Sequence, residues 1–177
     1  MSRTRFFIKT KRLELRELTC SEVSQAYIDG LNDPAVNGLT EARHVRWTRK
    51  KVLDYVKGAR SGGYYLIGIF LKEGDRHIGN IRLLNIDAVH KRAELGIMIF
   101  DRSTWGQGYG TEAILGVVQF AFSSLGLHRI QADYYSVNKA SARLFKNAGF
   151  TVEGIFRDHF SFGSGYVDSV RVARIKG

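Results

Sequence analysis

A chain of 177 residues with 44% hydrophobic and 25% charged residues has the size and make-up of one globular domain with a core of its own. Its 19 glycines follow no period of three and no segment repeats, which excludes collagen-like and solenoid architectures, and its single cysteine, Cys20, permits neither an internal disulfide nor a cysteine-rich zinc site. The formal net charge of +10 points to an anionic partner without saying which anion.

Leucines alternating with charged residues from Arg12 to Leu18 predict a half-buried strand with Leu13, Leu15 and Leu18 on one face. Thr19-Cys20-Ser21-Glu22 has the form of a capping box and predicts a helix running to about Leu31, followed by a loop that holds the sole proline, Pro34. A second helix is expected from Thr48 to near Gly58; its Arg49-Lys50-Lys51 run reads as a solvated face. After Gly62-Gly63 the periodicity changes. Tyr64 to Leu71, His77 to Ile86 and Ala93 to Phe100 predict three strands joined by short turns, hence an antiparallel meander. Apolar residues Ile114, Leu115, Val117, Val118, Ala121, Phe122 and Leu125 then mark a helix from Gly108 to Leu125, which Gly126 stops. His128 to Tyr134 is a strand. A short helix capped by Asn138 follows, with Ala140, Leu144 and Ala148 as its stripe, and two strands at about Thr151 to Ser161 and Tyr166 to Arg174 end the chain. The economical architecture is one α/β domain over residues 1–177, a mixed, mostly antiparallel twisted sheet with helices on both faces. No apolar run comes near the roughly eighteen residues of a membrane span, and Met1 to Arg5 lack the apolar core of a signal peptide, so a cytoplasmic location is expected.

Trp105-Gly106-Gln107-Gly108-Tyr109-Gly110 lies between a strand and a helix, where unpaired backbone N–H groups and the helix dipole favour a phosphate or diphosphate. Two enzyme classes use such a turn. Gly108 to Ala113 fits the alanine-ended dinucleotide fingerprint, and Asp133 lies where a ribose contact would be, but that fingerprint belongs directly after its strand in an all-parallel sheet. A P-loop is excluded because no Gly-Lys-Ser or Gly-Lys-Thr occurs.

The meander, the Gly-x-Gly turn opening a long helix, and the stretch Asn138-Lys139-Ala140-Ser141-Ala142-Arg143-Leu144-Phe145-Lys146-Asn147-Ala148-Gly149-Phe150 together resemble the GNAT superfamily of acetyl-CoA-dependent N-acetyltransferases. Thr10 to Arg16, Glu153 to His159 and Gly165 to Asp168 are similar to its RimJ/RimL-like branch. The resemblance implies acetyl-CoA as co-substrate and no metal. By the same resemblance, Gln107, Gly108, Tyr109, Gly110 and Thr111 match the pyrophosphate loop. Ile97, Met98 and Ile99 match the strand that pairs with the pantetheine arm, and Asn138 matches a contact near the thiol. Asn138 serves equally as a helix cap.

Amide formation from a thioester needs a neutral amine, a stabilised oxyanion and a proton for the departing thiolate. At pH 7 about a tenth of an α-amine is neutral but only one lysine in some thousands, so a weak base suffices for an α-amine or amino sugar. Glu94 is the candidate base; its alternative role is an exposed strand residue paired with Arg92 or a lysine. For the oxyanion a backbone N–H around Met98 is expected. Many superfamily members place a tyrosine seven residues after the asparagine; here that residue is Phe145, so Ser141 takes the acid role, with Tyr134 and Tyr135 in reserve. His44, His77, His90, His128 and His159 show no ligand spacing and read as strand-end or surface residues, while Arg43, Arg46 and Trp47 lie in a loop able to grip an acceptor. The expected acceptor is a protein N-terminal α-amine, ribosomal given the charge, or a small amine such as a nucleotide-linked amino sugar. The enzyme would be a monomer or homodimer, without membrane or direct nucleic-acid binding. A non-catalytic, basic RNA-binding or regulatory module on the same fold is the rival class, although no nucleic-acid motif supports it.

Overall fold

The computed structural model describes residues 6–177, apart from the side chain of Arg60. The first five residues, read above for a leader, lie outside the described ones. An eight-stranded sheet runs in the order β1-β2-β3-β4-β5-β6-β8-β7. Its strands are β1 (Phe7–Lys9), β2 (Leu13–Glu17), β3 (Tyr65–Leu71), β4 (His77–Asp87), β5 (Arg92–Ile99), β6 (Arg129–Tyr135), β7 (Thr151–Phe162) and β8 (Gly165–Ile175). From β1 to β5 every neighbour is antiparallel, the expected meander; β5 and β6 are parallel, and β6, β8 and β7 are antiparallel again. The helices are α1 (Gln25–Asn32), α2 (Pro34–Asn37), α3 (Arg49–Ser61), α4 (Tyr109–Ser123) and α5 (Lys139–Asn147).

Two apolar clusters lie on the two sheet faces. One joins Leu13, Leu15, Ile67, Ile81 and Leu95 to Ile114 and Val117 of α4 and Phe145 of α5; the other joins Leu18, Leu66, Phe70 and Phe100 to Tyr27 of α1 and Val52 of α3. Leu18 therefore departs from the expected stripe: β2 ends at Glu17, the alternation ends with it, and Leu18 faces the α1/α3 side. Helix α4 packs so closely on β2 that a methyl group at Gly116 would come 2.9 Å from Leu15 Cδ1. Leu115, counted in the α4 stripe from spacing, points outward, and Ala140 of α5 is likewise exposed while Phe145 fills the core in its place.

The capping box behaves differently from the expected helix start. Glu22 does accept from the Thr19 N–H at 2.7 Å, but it closes only a 3₁₀ turn, Cys20–Glu22; α1 begins afterwards, capped by Ser24, whose hydroxyl accepts from Tyr27 N–H. Pro34 is the first residue of α2, where its fixed φ and missing N–H cost nothing. His77 is a strand-end residue, the first of β4, and it is drawn into the α1/α3 cluster: its ring stacks on Phe70 and packs against Tyr27 and Phe100. Burial pushes its imidazole below the usual value.

Candidate active site

Strands β5 and β6 pair over three residues only, Arg92 with Arg129, Ala93 with Ile130 and Glu94 with Gln131. Beyond them each strand continues against its other neighbour, β5 against β4 and β6 against β8, so a gap opens in the middle of the sheet. The Phe100 N–H bonds to Ile78 O, which fixes the alternation of the β4–β5 ladder: Gly96 and Met98 direct their N–H and C=O groups to β4, while Ile97 and Ile99, beyond the last residue paired with β6, direct theirs into the gap. The Ile99 carbonyl is taken by the Trp105 indole at 2.9 Å. Sheet interiors do not leave such groups idle, and an extended amide-bearing ligand satisfies them. The Met98 N–H faces β4; of the N–H groups around Met98, those of Ile97 and Ile99 face the gap.

The glycine turn adjoins this gap. A methyl group at Gly110 would come 3.8 Å from both the Ile97 and Ile99 side chains and 3.0 Å from Leu144 of α5. Gly106 and Gly108 both have left-handed backbones, with φ of 75° and 81°, and Gly108 is the cap of α4. The first intrahelical bond runs from Glu112 N–H to Gly108 O, leaving the N–H groups of Tyr109, Gly110 and Thr111 open at the positive end of the helix. The Gln107 side chain is occupied, donating to Ser103 O at 2.8 Å, so this residue offers backbone alone.

Sequence reasoning missed what holds the turn. Arg12, from the β1–β2 connection, donates to Gln107 O at 2.9 Å, stacks over the Tyr109 ring at 4.2 Å and pairs with Glu112 at 2.7 Å. Glu112 also accepts from the Thr10 hydroxyl at 2.6 Å and the Arg12 N–H at 2.7 Å. Burial raises the Glu112 carboxyl, but these hydrogen bonds and the Arg12 charge more than offset it, holding the group below the usual carboxylate range. An acidic residue in the first turn of α4 was the available signal.

A cavity of about 540 Å³ lies at the gap, and Glu94, Ile97, Met98, Tyr134, Asn138 and Ser141 all line it. Glu94 is not paired with Arg92, which faces Asp87 at 3.5 Å. Its two oxygens accept instead from Asn85 Nδ2 at 2.8 Å and Gln131 Nε2 at 3.1 Å, two neutral donors that fix the carboxylate on the cavity wall. Asn138 is both cap and wall: its Oδ1 accepts from the Ser141 N–H at 3.0 Å, which sets Ser141 one turn into α5 beside the cavity. Phe145 is buried, its ring stacked on Tyr134. The Tyr135 hydroxyl donates to Glu41, and burial, then that carboxylate, push its phenol up to about 12. Tyr135 is thereby engaged, and Ser141 and Tyr134 remain as hydroxyls for a proton.

Arg43 turns away from the cavity. It donates to Ser161 O at 2.7 Å and lies over the Tyr135 and Phe162 rings, tying the 38–47 loop to the β7–β8 hairpin, and only Trp47 of the three loop residues lines the cavity. Asp133 forms a two-pronged pair with Arg171 at 2.7 and 2.9 Å. With that carboxylate spent and the sheet mostly antiparallel, the dinucleotide fingerprint has no context.

Residues 12–151 match the family model of the acetyltransferase (GNAT) domain. The chain belongs to the GNAT family. It is accordingly an N-acetyltransferase, in agreement with the resemblance read from its motifs. A probable N-acetyltransferase of Bacillus subtilis, YjcK, is 34% identical over 70% of this chain and 68% of its own length. Two solved structures share the fold. RimL, an alpha-N-acetyltransferase of a ribosomal protein in complex with coenzyme A, superposes with a TM-score of 0.84 at 22% identity, over 96% of this chain and 98% of its own. A spermidine N-acetyltransferase from Vibrio cholerae, in complex with CoA and spermine, gives 0.82 at 19% identity over 94% and 96%. Among the described residues no helix of this acetyltransferase is long and apolar enough to cross a membrane.

Proposed function

We propose that this acetyltransferase moves an acetyl group directly from acetyl-CoA to a primary amine that enters the cavity from the α1/α3 face. The observation that carries the reading is the three-residue pairing of β5 with β6, which leaves the backbone of Ile97 open beside a glycine turn at a helix start. RimL and the spermidine enzyme, which share this fold, were both solved with coenzyme A.

The co-substrate supplies an activated thioester. The turn from Gln107 to Thr111 binds its diphosphate through backbone donors, and Ile97 and Ile99 hold its amide-bearing arm as a strand would. Glu94, on the α1/α3 side of β5, takes a proton from the incoming ammonium through water; two amide donors orient it. The nitrogen attacks the carbonyl carbon, the Ile97 N–H faces the developing oxyanion, and the C–S bond breaks as the C–N bond stands. Ser141, with Tyr134 as the alternative, gives its proton to the departing thiolate and is reprotonated by the proton that the attacking nitrogen sheds. Positioning in the gap supplies much of the acceleration.

The test is free-thiol release from acetyl-CoA across a panel of amines, run beside thermal melting with and without acetyl-CoA. Acetyl-CoA raises Tm, and thiol release depends on an amine. A chain that ignores acetyl-CoA in both assays does not carry out this reaction. A chain that binds acetyl-CoA yet acetylates no amine would instead be the binding or regulatory module, whose RNA affinity a filter assay measures.

A further inference from the structure

Arg82 of β4 is the sole cation among the described residues that line the cavity, against three carboxylates, Glu41, Glu94 and Asp133. Asp133 is spent on Arg171 and Glu41 on the Tyr135 hydroxyl. Among the described residues, no carboxylate lies within ion-pair distance of Arg82. Its place is set by the register: Arg82 sits opposite Gly96 and Leu84 opposite Glu94, so Arg82 and Glu94 project from the same sheet face, the one covered by α1 and α3. A methyl group added at Gly96 would sit in ordinary van der Waals contact with the guanidinium, 3.6 Å from Arg82 Nη2 and 3.7 Å from Nε, so the guanidinium lies beside the β5 backbone at Gly96, and both residues line the cavity. Tyr27 and Tyr55 line the same cavity. Burial pushes the phenols of Tyr27, Tyr55 and Tyr64 upward, and in all three the Arg82 charge opposes that push.

We infer that Arg82 is the acceptor-specificity residue of this site and that the acceptor is a small amine bearing a carboxylate, the ammonium end meeting Glu94 and the carboxylate meeting Arg82. The inference rests on the acetyl-transfer reading above and names its substrate class. Gly96 and Glu94 lie two residues apart on one strand, about 7 Å. With a side chain reaching in at each end, an α- or β-amino acid spans that separation. A guanidinium presents a planar fork of donors that a carboxylate accepts with both oxygens, and one such fork with no second cation suits a single negative charge better than a phosphate dianion. The remaining wall, from Leu31, Leu39, Val45 and Trp47, is apolar and takes the body of the molecule. A polyamine fits poorly, because its second ammonium would face Arg82.

The experiment compares free amino acids with their carboxamides, which keep the amine and lose the charge, at saturating acetyl-CoA, with phosphoethanolamine and spermidine alongside. The wild type is expected to favour the best acid over its amide by at least tenfold in kcat/KM. Arg82→Gln should bring that ratio close to one, chiefly by raising KM for the acid, and Arg82→Lys should restore part of it. Acetyl-CoA binding by each variant, measured by calorimetry, reports that it is folded. Equal use of acids and amides, a preference for phosphoethanolamine or spermidine, or an Arg82→Gln enzyme that keeps the preference would each overturn the assignment. Acetyl-CoA binding with no acetylated member of the panel overturns it too, yet leaves the acetyl-transfer reading standing. Failure to bind acetyl-CoA takes both down.

Discussion

At the α4 end of the gap between β5 and β6, what the protein offers a ligand is backbone: the N–H groups of Tyr109 to Thr111, the left-handed Gly106 and Gly108, and the outward-turned amides of β5. On the α1/α3 face it offers side chains, and they come from scattered stretches: Glu41 and Trp47 from the loop before α3, Arg82 from β4, Glu94 from β5, Phe160 from the β7–β8 hairpin. Backbone recognition tolerates change in side chain but not in conformation. Side-chain recognition is the reverse. On the proposed reading, the contrast separates a conformationally demanding site for the donor from an easily re-lined site for the acceptor.

Breaking the backbone end should have the largest effect. Gly108→Val forces a β-branched residue into a left-handed conformation that costs roughly 1–2 kcal/mol even for ordinary residues, at the cap where the diphosphate donors converge. Acetyl-CoA affinity should fall by about tenfold to a hundredfold, corresponding to about 1.4 to 2.8 kcal/mol. Calorimetry on a variant with native circular dichroism checks this, and unchanged affinity would remove the turn from the site.

The chemistry between the two ends comes next. Glu94→Gln should lower turnover by about tenfold at pH 6, where the amine is most protonated, and less as the pH approaches 9. Ser141→Ala should lower kcat with little change in acetyl-CoA affinity. Full activity of both variants from pH 6 to 9 would mean that positioning alone carries the reaction.

A smaller effect tests the support beneath the glycine turn. Because the folded Glu112 carboxyl titrates below its ordinary value of 4.5, its stabilisation is present above that pH and is lost as the pH falls through the folded value. Glu112→Gln should therefore cost about 1 kcal/mol at pH 7, and wild type and variant should converge in acid. Urea titrations at pH 7 and pH 3 would read the difference; an equal gap at both would deny the carboxylate its role.

The smallest effect belongs to the acceptor end. Long-range attraction between a +10 protein and an anionic acceptor is screened within about 10 Å at 0.1 M salt. An amino acid carries no net charge, so with acetyl-CoA saturating its kcat/KM should change by less than about twofold between roughly 20 and 300 mM salt, whereas a net anionic acceptor would lose more. A flat profile would leave the positive charge to the co-substrate alone.

The same division decides how much could be read in advance. Periodicity and punctuation determined the meander, the long helix after the glycine turn and the place of Asn138, because each is a local property written in consecutive residues. The motifs carried the family, and punctuation the glycine turn at the start of α4, because glycines that permit a backbone conformation are visible in a sequence. Leu18, Leu115 and Ala140 were misplaced because periodicity does not reveal where a strand stops or how wide a helix's buried face is. The short strand β1 (Phe7–Lys9) escaped notice, since three residues at a sheet edge carry too little pattern. Only the tertiary structure decided that Met98 spends its N–H on β4 while Ile97 turns its own into the gap, since that depends on ladder register. Only it set Arg12 under the glycine turn, a hundred residues away along the chain, and turned Arg43 from the cavity to the β7–β8 hairpin. Arg82 illustrates the physical reason most directly. In sequence it is one of 27 basic residues; what distinguishes it is its place beside Gly96 of the next strand on the cavity wall and, among the described residues, the lack of a carboxylate in ion-pair reach, and both exist only once the sheet has formed.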